Sequence, residues 1–119
     1  DTYSADVFKM KLQYRIGGAL DVNVFVTDFK GISEGTLGEA VFPWEFNENP
    51  VIDGILLNYR ALPYLPGETI GDNNCGAVLT HEVGHWLGLF HTSYTPDSST
   101  YEITRGQADR ASHLVRLYR

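Results

Sequence analysis

The sequence predicts an α+β fold, and three observations carry that prediction. Residues 19–27 alternate apolar and polar side chains, and residues 54–59 form a short apolar run between turn-forming residues. Residues 81–91 and 104–118 carry helical spacing together with helix-end signals. With 119 residues, residues 1–119 make a single domain. A content of 43% hydrophobic and 13% aromatic residues is enough for a modest core.

Taken in order, residues 4–14 mix charged and apolar side chains, which fits a short helix or an irregular lead-in. Ile16-Gly17-Gly18 is a turn. In 19–27, Leu20, Val22, Val24 and Val26 face one way and Asp21, Asn23 and Phe25 the other, the pattern of a half-buried strand. Residues 28–38 hold three glycines and read as loop, 37–42 as a second strand stopped by Pro43, and 45–50 as polar loop. Residues 51–59 contain the third strand, clearest in 54–59. Residues 61–74, with Pro63, Pro66, Gly67 and Gly71, form a loop, and Asp72, Asn73 and Asn74 offer N-caps for the helix that follows. On that helix Leu79, Val83, Trp86 and Leu87 take core-facing spacing, so Trp86 reads as a core residue. Residues 92–99 are polar loop. Thr104-Arg105-Gly106-Gln107 is a capping box that opens a helix to about Tyr118, with Ala108, Ala111, Val115 and Tyr118 on its buried face. His113 reads as a solvated residue of that helix.

Residues 81–91, His-Glu-Val-Gly-His-Trp-Leu-Gly-Leu-Phe-His, hold five specified residues at the spacing HExxHxxGxxH. A chance match in this length is on the order of one in a hundred thousand or rarer by ordinary residue usage. That outweighs the plainer reading of a buried helix with three satisfied histidines. On a helix His81 and His85 share one face, and Glu82 lies on its flank. Gly88 accepts the left-handed conformation that stops the helix, so His91 can return as a third ligand. Three nitrogen ligands with an open fourth position are the pattern of one catalytic zinc ion. A zinc-bound water would be the nucleophile of peptide hydrolysis, with Glu82 as its general base.

The net charge of −6 and the lack of a basic cluster argue against nucleic acid and anionic membranes as partners. No apolar run reaches membrane-spanning length, and Asp1-Thr2-Tyr3-Ser4 does not begin a signal peptide. Cys75 stands alone; a small buried side chain is the favoured reading over a reactive or metal-binding one. Glu68, Asp72 and Asp97 are too dispersed for a calcium loop, so they read as solvated charge. Nothing in the sequence sets an oligomeric state.

The segment from His81 to His91 resembles the metzincin zinc endopeptidases. Leu20-Asp21-Val22-Asn23-Val24-Phe25-Val26, Gly38-Glu39-Ala40-Val41-Phe42-Pro43, Asp53-Gly54-Ile55-Leu56 and residues 80–92 together resemble the pappalysin-type family, peptidase M43, closest to its secreted fungal metalloproteases. Residues 104–110 resemble the family's last helix. The resemblance implies a metzincin-like fold, a twisted mixed sheet over a zinc-bearing helix. It implies a secreted metalloendopeptidase acting on proteins or peptides, with Glu82 as base and His81, His85 and His91 as ligands. It also implies substrate lying antiparallel to an edge strand, here Gly38, Glu39, Ala40 and Val41. Two features depart from the family pattern. The only methionine is Met10, whereas metzincins place one in a tight turn beneath the zinc; and only residues 92–103 separate His91 from the last helix. The chain therefore reads as an abridged catalytic domain. Zinc binding without turnover, and a fragment that does not fold alone, stand as competing readings.

Overall fold

The structure is a computed structural model that describes residues 5–29, 35–62, 76–90 and 104–119. Its elements are α1 (Ala5–Tyr14), β1 (Val24–Thr27), β2 (Gly38–Ala40), β3 (Ile55–Asn58), α2 (Ala77–Trp86) and α3 (Arg105–Tyr118), with short 3-10 turns at Pro43–Glu45, Pro50–Ile52 and Tyr59–Ala61. The mixed sheet of the sequence reading is present, in the order β1-β3-β2. All four residues of β3 are buried, as expected of a strand covered on both faces. β1 runs parallel to β3 with Phe25 opposite Leu56, and β2 runs antiparallel with Gly38 opposite Leu57.

Alternation along β3 sends its side chains to two layers. Leu56 packs with Val7, Phe25 and Phe29 beneath α1, where Met10 adds to the cluster. Leu57 packs with Ala61 and with Val78 of α2, where Leu37, Leu62 and Leu79 join. The sheet thus lies between α1 and α2. This arrangement corrects the expected faces of β1. Val24 and Val26 share the face of Ile55 and Leu57, but α2 lies over β2 and β3, leaving them 39% and 48% exposed. Leu20 and Val22 are exposed as well, and Phe25 is the inward residue. The strand also starts later than the alternation suggested. The Asn23 side chain is occupied by both the N–H and the carbonyl of Ile16, which folds residues 16–23 into a clasp.

The helices show similar shifts of one residue. On α2 the fully buried apolar residue is Val78, Trp86 is buried as expected, and Leu79, Val83 and Leu87 are half-buried. Gly76 occupies its N-cap; Asp72, Asn73 and Asn74 lie outside the described residues. On α3 the capping box forms, with Thr104 Oγ1 accepting from Gln107 N–H at 3.2 Å and Gln107 Oε1 from Thr104 N–H at 2.9 Å. Its buried residues are Ala111 and Leu114; Val115 and Tyr118 are half-buried and Ala108 is exposed. His113 is exposed, as expected.

Gly88 ends α2 for two reasons. Its φ of +99° is left-handed, and a Cβ there would approach Leu114 Cδ1 to 2.4 Å. The Gly88 N–H donates to His85 O at 2.8 Å and the Leu89 N–H to Gly84 O at 2.9 Å, the paired bonds of a Schellman motif.

Two buried charges hold the layers in register. Asp53 accepts from Trp86 Nε1 at 3.1 Å, from Arg119 at 2.8 and 3.0 Å and from Arg15 at 3.3 Å. Lys11 has no exposed surface, and its Nζ donates to Ile52 O at 2.5 Å. Burial lowers its pKa from 10.5 to about 8, against the opposing pull of the Glu39 and Asp53 carboxylates and with a further lowering by Arg15.

Two predictions follow from these contacts. Between pH 8 and 10.5 the unfolded chain holds the Lys11 proton and the folded chain does not, so stability rises with pH through that window. Measured against Lys11→Met in urea titrations, the parent should gain roughly 2–3 kcal/mol between about pH 7 and 10; a pH-independent difference contradicts the assignment. Gly88→Ala should cost about 2–4 kcal/mol in the same assay, from left-handed strain plus overpacking against Leu114. A loss under about 0.5 kcal/mol contradicts the packing described.

Candidate metal centre and active-site cleft

Helical spacing brings His81 and His85 together on α2, with ring centroids 4.6 Å apart and planes at 87°. Their Nε2 atoms converge to 3.0 Å. Two tetrahedral nitrogen ligands at ordinary zinc distances would stand about 3.3 Å apart, so the pair fits one ion with little adjustment. The other ring nitrogen of His85, Nδ1, lies 2.6 Å from Leu89 O. With the proton on Nδ1 donating to that carbonyl, the Nε2 lone pair is left facing its neighbour. The helix end at Gly88 is what folds Leu89 back to this position, so the glycine serves the site through His85.

Glu82, 7% exposed, lies between α2 and the sheet, beneath Gly38. A Cβ at Gly38 would approach Glu82 Cγ to 2.8 Å and Oε1 to 3.2 Å, so β2 sits this close because residue 38 has no side chain. Between them runs an open cleft of about 370 Å³, lined by residues 35–40 and Phe42 on one side and by His81, Glu82 and His85 on the other. The third expected ligand, His91, lies outside the described residues, as does Cys75. Among the described residues no three His, Cys, Asp or Glu side chains gather as a metal-binding group.

The expected edge strand borders this cleft. Asn58 N–H donates to Leu37 O at 2.9 Å and Val41 N–H to Gly54 O at 3.2 Å, so residues 37 and 41 turn their main chain toward β3. By antiparallel alternation Gly38 and Ala40 direct theirs to the open side. Val41 is buried and faces inward, and Glu39 shares the face of Leu56 beneath α1. Of the four expected residues, Gly38 and Ala40 are the two whose main-chain groups point away from β3.

Sequence reasoning missed two groups beside the site. One is Asp53 with Arg119, whose guanidinium stands 3.9 Å from the Trp86 ring centroid and also donates to Trp86 O at 3.3 Å. Separated by 66 positions, the two carry no local spacing signal. The other is an aromatic group, Phe42, Trp44 and Phe90, gathered against His85. The Phe-Pro-Trp run at residues 42–44, just past β2, was a readable sign of it.

Among the described residues no helix is long and apolar enough to cross a membrane. A family profile described as pregnancy-associated plasma protein-A, Peptidase M43, matches residues 7–114. An extracellular metalloprotease of Arthroderma benhamiae is 35% identical over 91 residues, covering 72% of this chain and 28% of the relative. One from Pyricularia oryzae is 37% identical over 84 residues, covering 70% and 28%. Among solved structures, Tannerella forsythia mature mirolysin in complex with a cleaved peptide is similar with a TM-score of 0.56 and 29% identity, covering 73% of this chain and 33% of that one. Mirolysin in complex with compound 9 gives 0.58 and 30%, covering 75% and 33%. The chain therefore spans 28% of the length of these curated relatives. The profile match over most of the chain, with relatives above 30% identity, establishes its family: the chain belongs to the pappalysin-type peptidase M43 metalloproteases of the metzincin group.

Proposed function

We propose that this chain carries the active site of a secreted zinc-dependent endopeptidase, with His81, His85 and His91 holding the ion and Glu82 acting as general base. The observation that carries the reading is the placement of the buried Glu82 carboxylate in the same cleft as two converging Nε2 atoms, beneath an open strand edge. The names of the fungal relatives, extracellular metalloproteases, support both the metal and the secretion.

Zinc, when bound, supplies Lewis acidity toward a water and toward the scissile carbonyl. The chain supplies the remaining steps. Gly38 and Ala40 hold the peptide by strand addition, antiparallel to β2. Glu82 takes a proton from the attacking water as its oxygen bonds to the carbonyl carbon. It passes that proton to the departing nitrogen as the C–N bond breaks, and the second proton of the water then moves from the new carboxyl group to the amine, leaving a carboxylate and an ammonium group. The Nδ1–H bond of His85 to Leu89 O keeps Nε2 available as a ligand throughout.

A second reading, zinc binding without turnover, is favoured by one observation. The only methionine, Met10, packs with Val7 and Phe29 beneath α1, across the sheet from α2. One experiment separates the two readings. The zinc-loaded protein should cleave casein, and Glu82→Ala should lower the rate about 10²- to 10⁴-fold with zinc content unchanged. Stoichiometric zinc without cleavage supports the second reading, and equal rates for parent and variant refute Glu82 as the base.

A further inference from the structure

Phe42 lines the cleft, Trp44 and Phe90 pack against it, and none of the three belongs to either apolar cluster of the core. Phe42 stacks on Trp44 with centroids 4.6 Å apart and planes at 8°. Phe90 tilts against both, at 5.6 and 5.5 Å, and Phe42 meets His85 edge to face at 5.4 Å. Phe90 is 50% exposed, and Phe42 and Trp44 are half-buried. Local structure fixes the shelf. Phe42 N–H donates to Glu45 Oε2 at 2.8 Å, Pro43 sets the next turn, and Phe90 follows Leu89, which the helix end holds. Rings packed on one another beside a cleft, two half-buried and one half-exposed, present apolar surface that a further side chain can bury.

Strand direction says what that is. β2 runs from Gly38 toward Phe42, so a peptide added antiparallel to it runs the other way. Its residues on the amino side of the scissile bond then extend toward Phe42 and Trp44. We infer that Phe42, Trp44 and Phe90 form a specificity subsite for an apolar or aromatic side chain within the first three residues on the amino side of the scissile bond. The inference rests on the endopeptidase reading and on strand addition to β2. Ring faces and edges offer no strong hydrogen bond, so a carboxylate or amide placed there would lose hydration without replacement. Arg110, with its guanidinium 4.9 Å from the Phe90 ring centroid, adds a positive charge that disfavours lysine or arginine at the same place.

Two measurements on the full protein test this. The first maps cleavage of a peptide library. The second measures binding of a matched peptide series to Glu82→Gln, which does not need turnover. Both should favour Phe, Tyr, Trp, Leu or Met over Gly at one of those three positions by about tenfold or more. Trp44→Ala and, at the more exposed ring, Phe90→Ser should each shrink that ratio several-fold, with melting temperature and zinc content checked alongside. Preferred binding without cleavage overturns the endopeptidase reading and leaves the subsite standing. Cleavage or binding with no such preference, or a ratio unchanged in both folded variants, overturns the subsite. Neither cleavage nor binding overturns both.

Discussion

The Asp53 carboxylate collects hydrogen bonds from Trp86 of α2, from Arg15 just after α1 and from Arg119 just after α3. Three helices that share no local sequence are thereby tied to the start of the central strand. Asp53 and the Arg119 side chain have no exposed surface, so each charge is tolerable only because the other is there. Such a pair contributes little net stability compared with apolar residues of similar shape, but removing one partner alone costs about 3–5 kcal/mol. Its value here is positional. Trp86 follows His85 directly, so a bond that fixes the Trp86 ring also fixes the rotation of α2 relative to β3. The same guanidinium donates to Trp86 O and satisfies a carbonyl that the helix end would otherwise leave bare.

With α2 held in this way, the site needs few further devices. Helix geometry alone converges the two imidazoles. The turn at Gly88 brings Leu89 O to His85 Nδ1, and the missing side chain at Gly38 lets the strand edge rest on Glu82. The first two belong to α2 and the turn that ends it; the third depends on α2 keeping its register against the sheet. Placing Glu82, His81, His85 and the edge of β2 around one cleft of about 370 Å³ is the outcome of that packing.

Local patterns were legible in the sequence, and tertiary choices were not. The capping box at Thr104, the stop at Gly88 and the clustering of His81 with His85 follow from spacing over a few residues, and each reading carried through to the structure. The sheet order follows from no single segment, although the strand positions were readable. The faces of β1 came out reversed because alternation defines two faces without saying which one α2 will cover. Val78 and Leu114 displaced neighbouring residues from the expected buried stripes by the same logic, since a helix can rotate part of a turn and keep its apolar spacing. Asp53 with Arg119, and Phe90 with Phe42, meet only after the chain folds, so no window of the sequence could have paired them.

X-ray absorption spectroscopy at the zinc edge of the zinc-loaded protein tests the central claim most directly. One zinc ion should be found with three imidazole nitrogens at about 2.0–2.1 Å and one oxygen ligand. His85→Ala should remove one imidazole from that shell. A sulfur ligand, fewer than three imidazoles in the parent, or a shell unchanged in His85→Ala would contradict it.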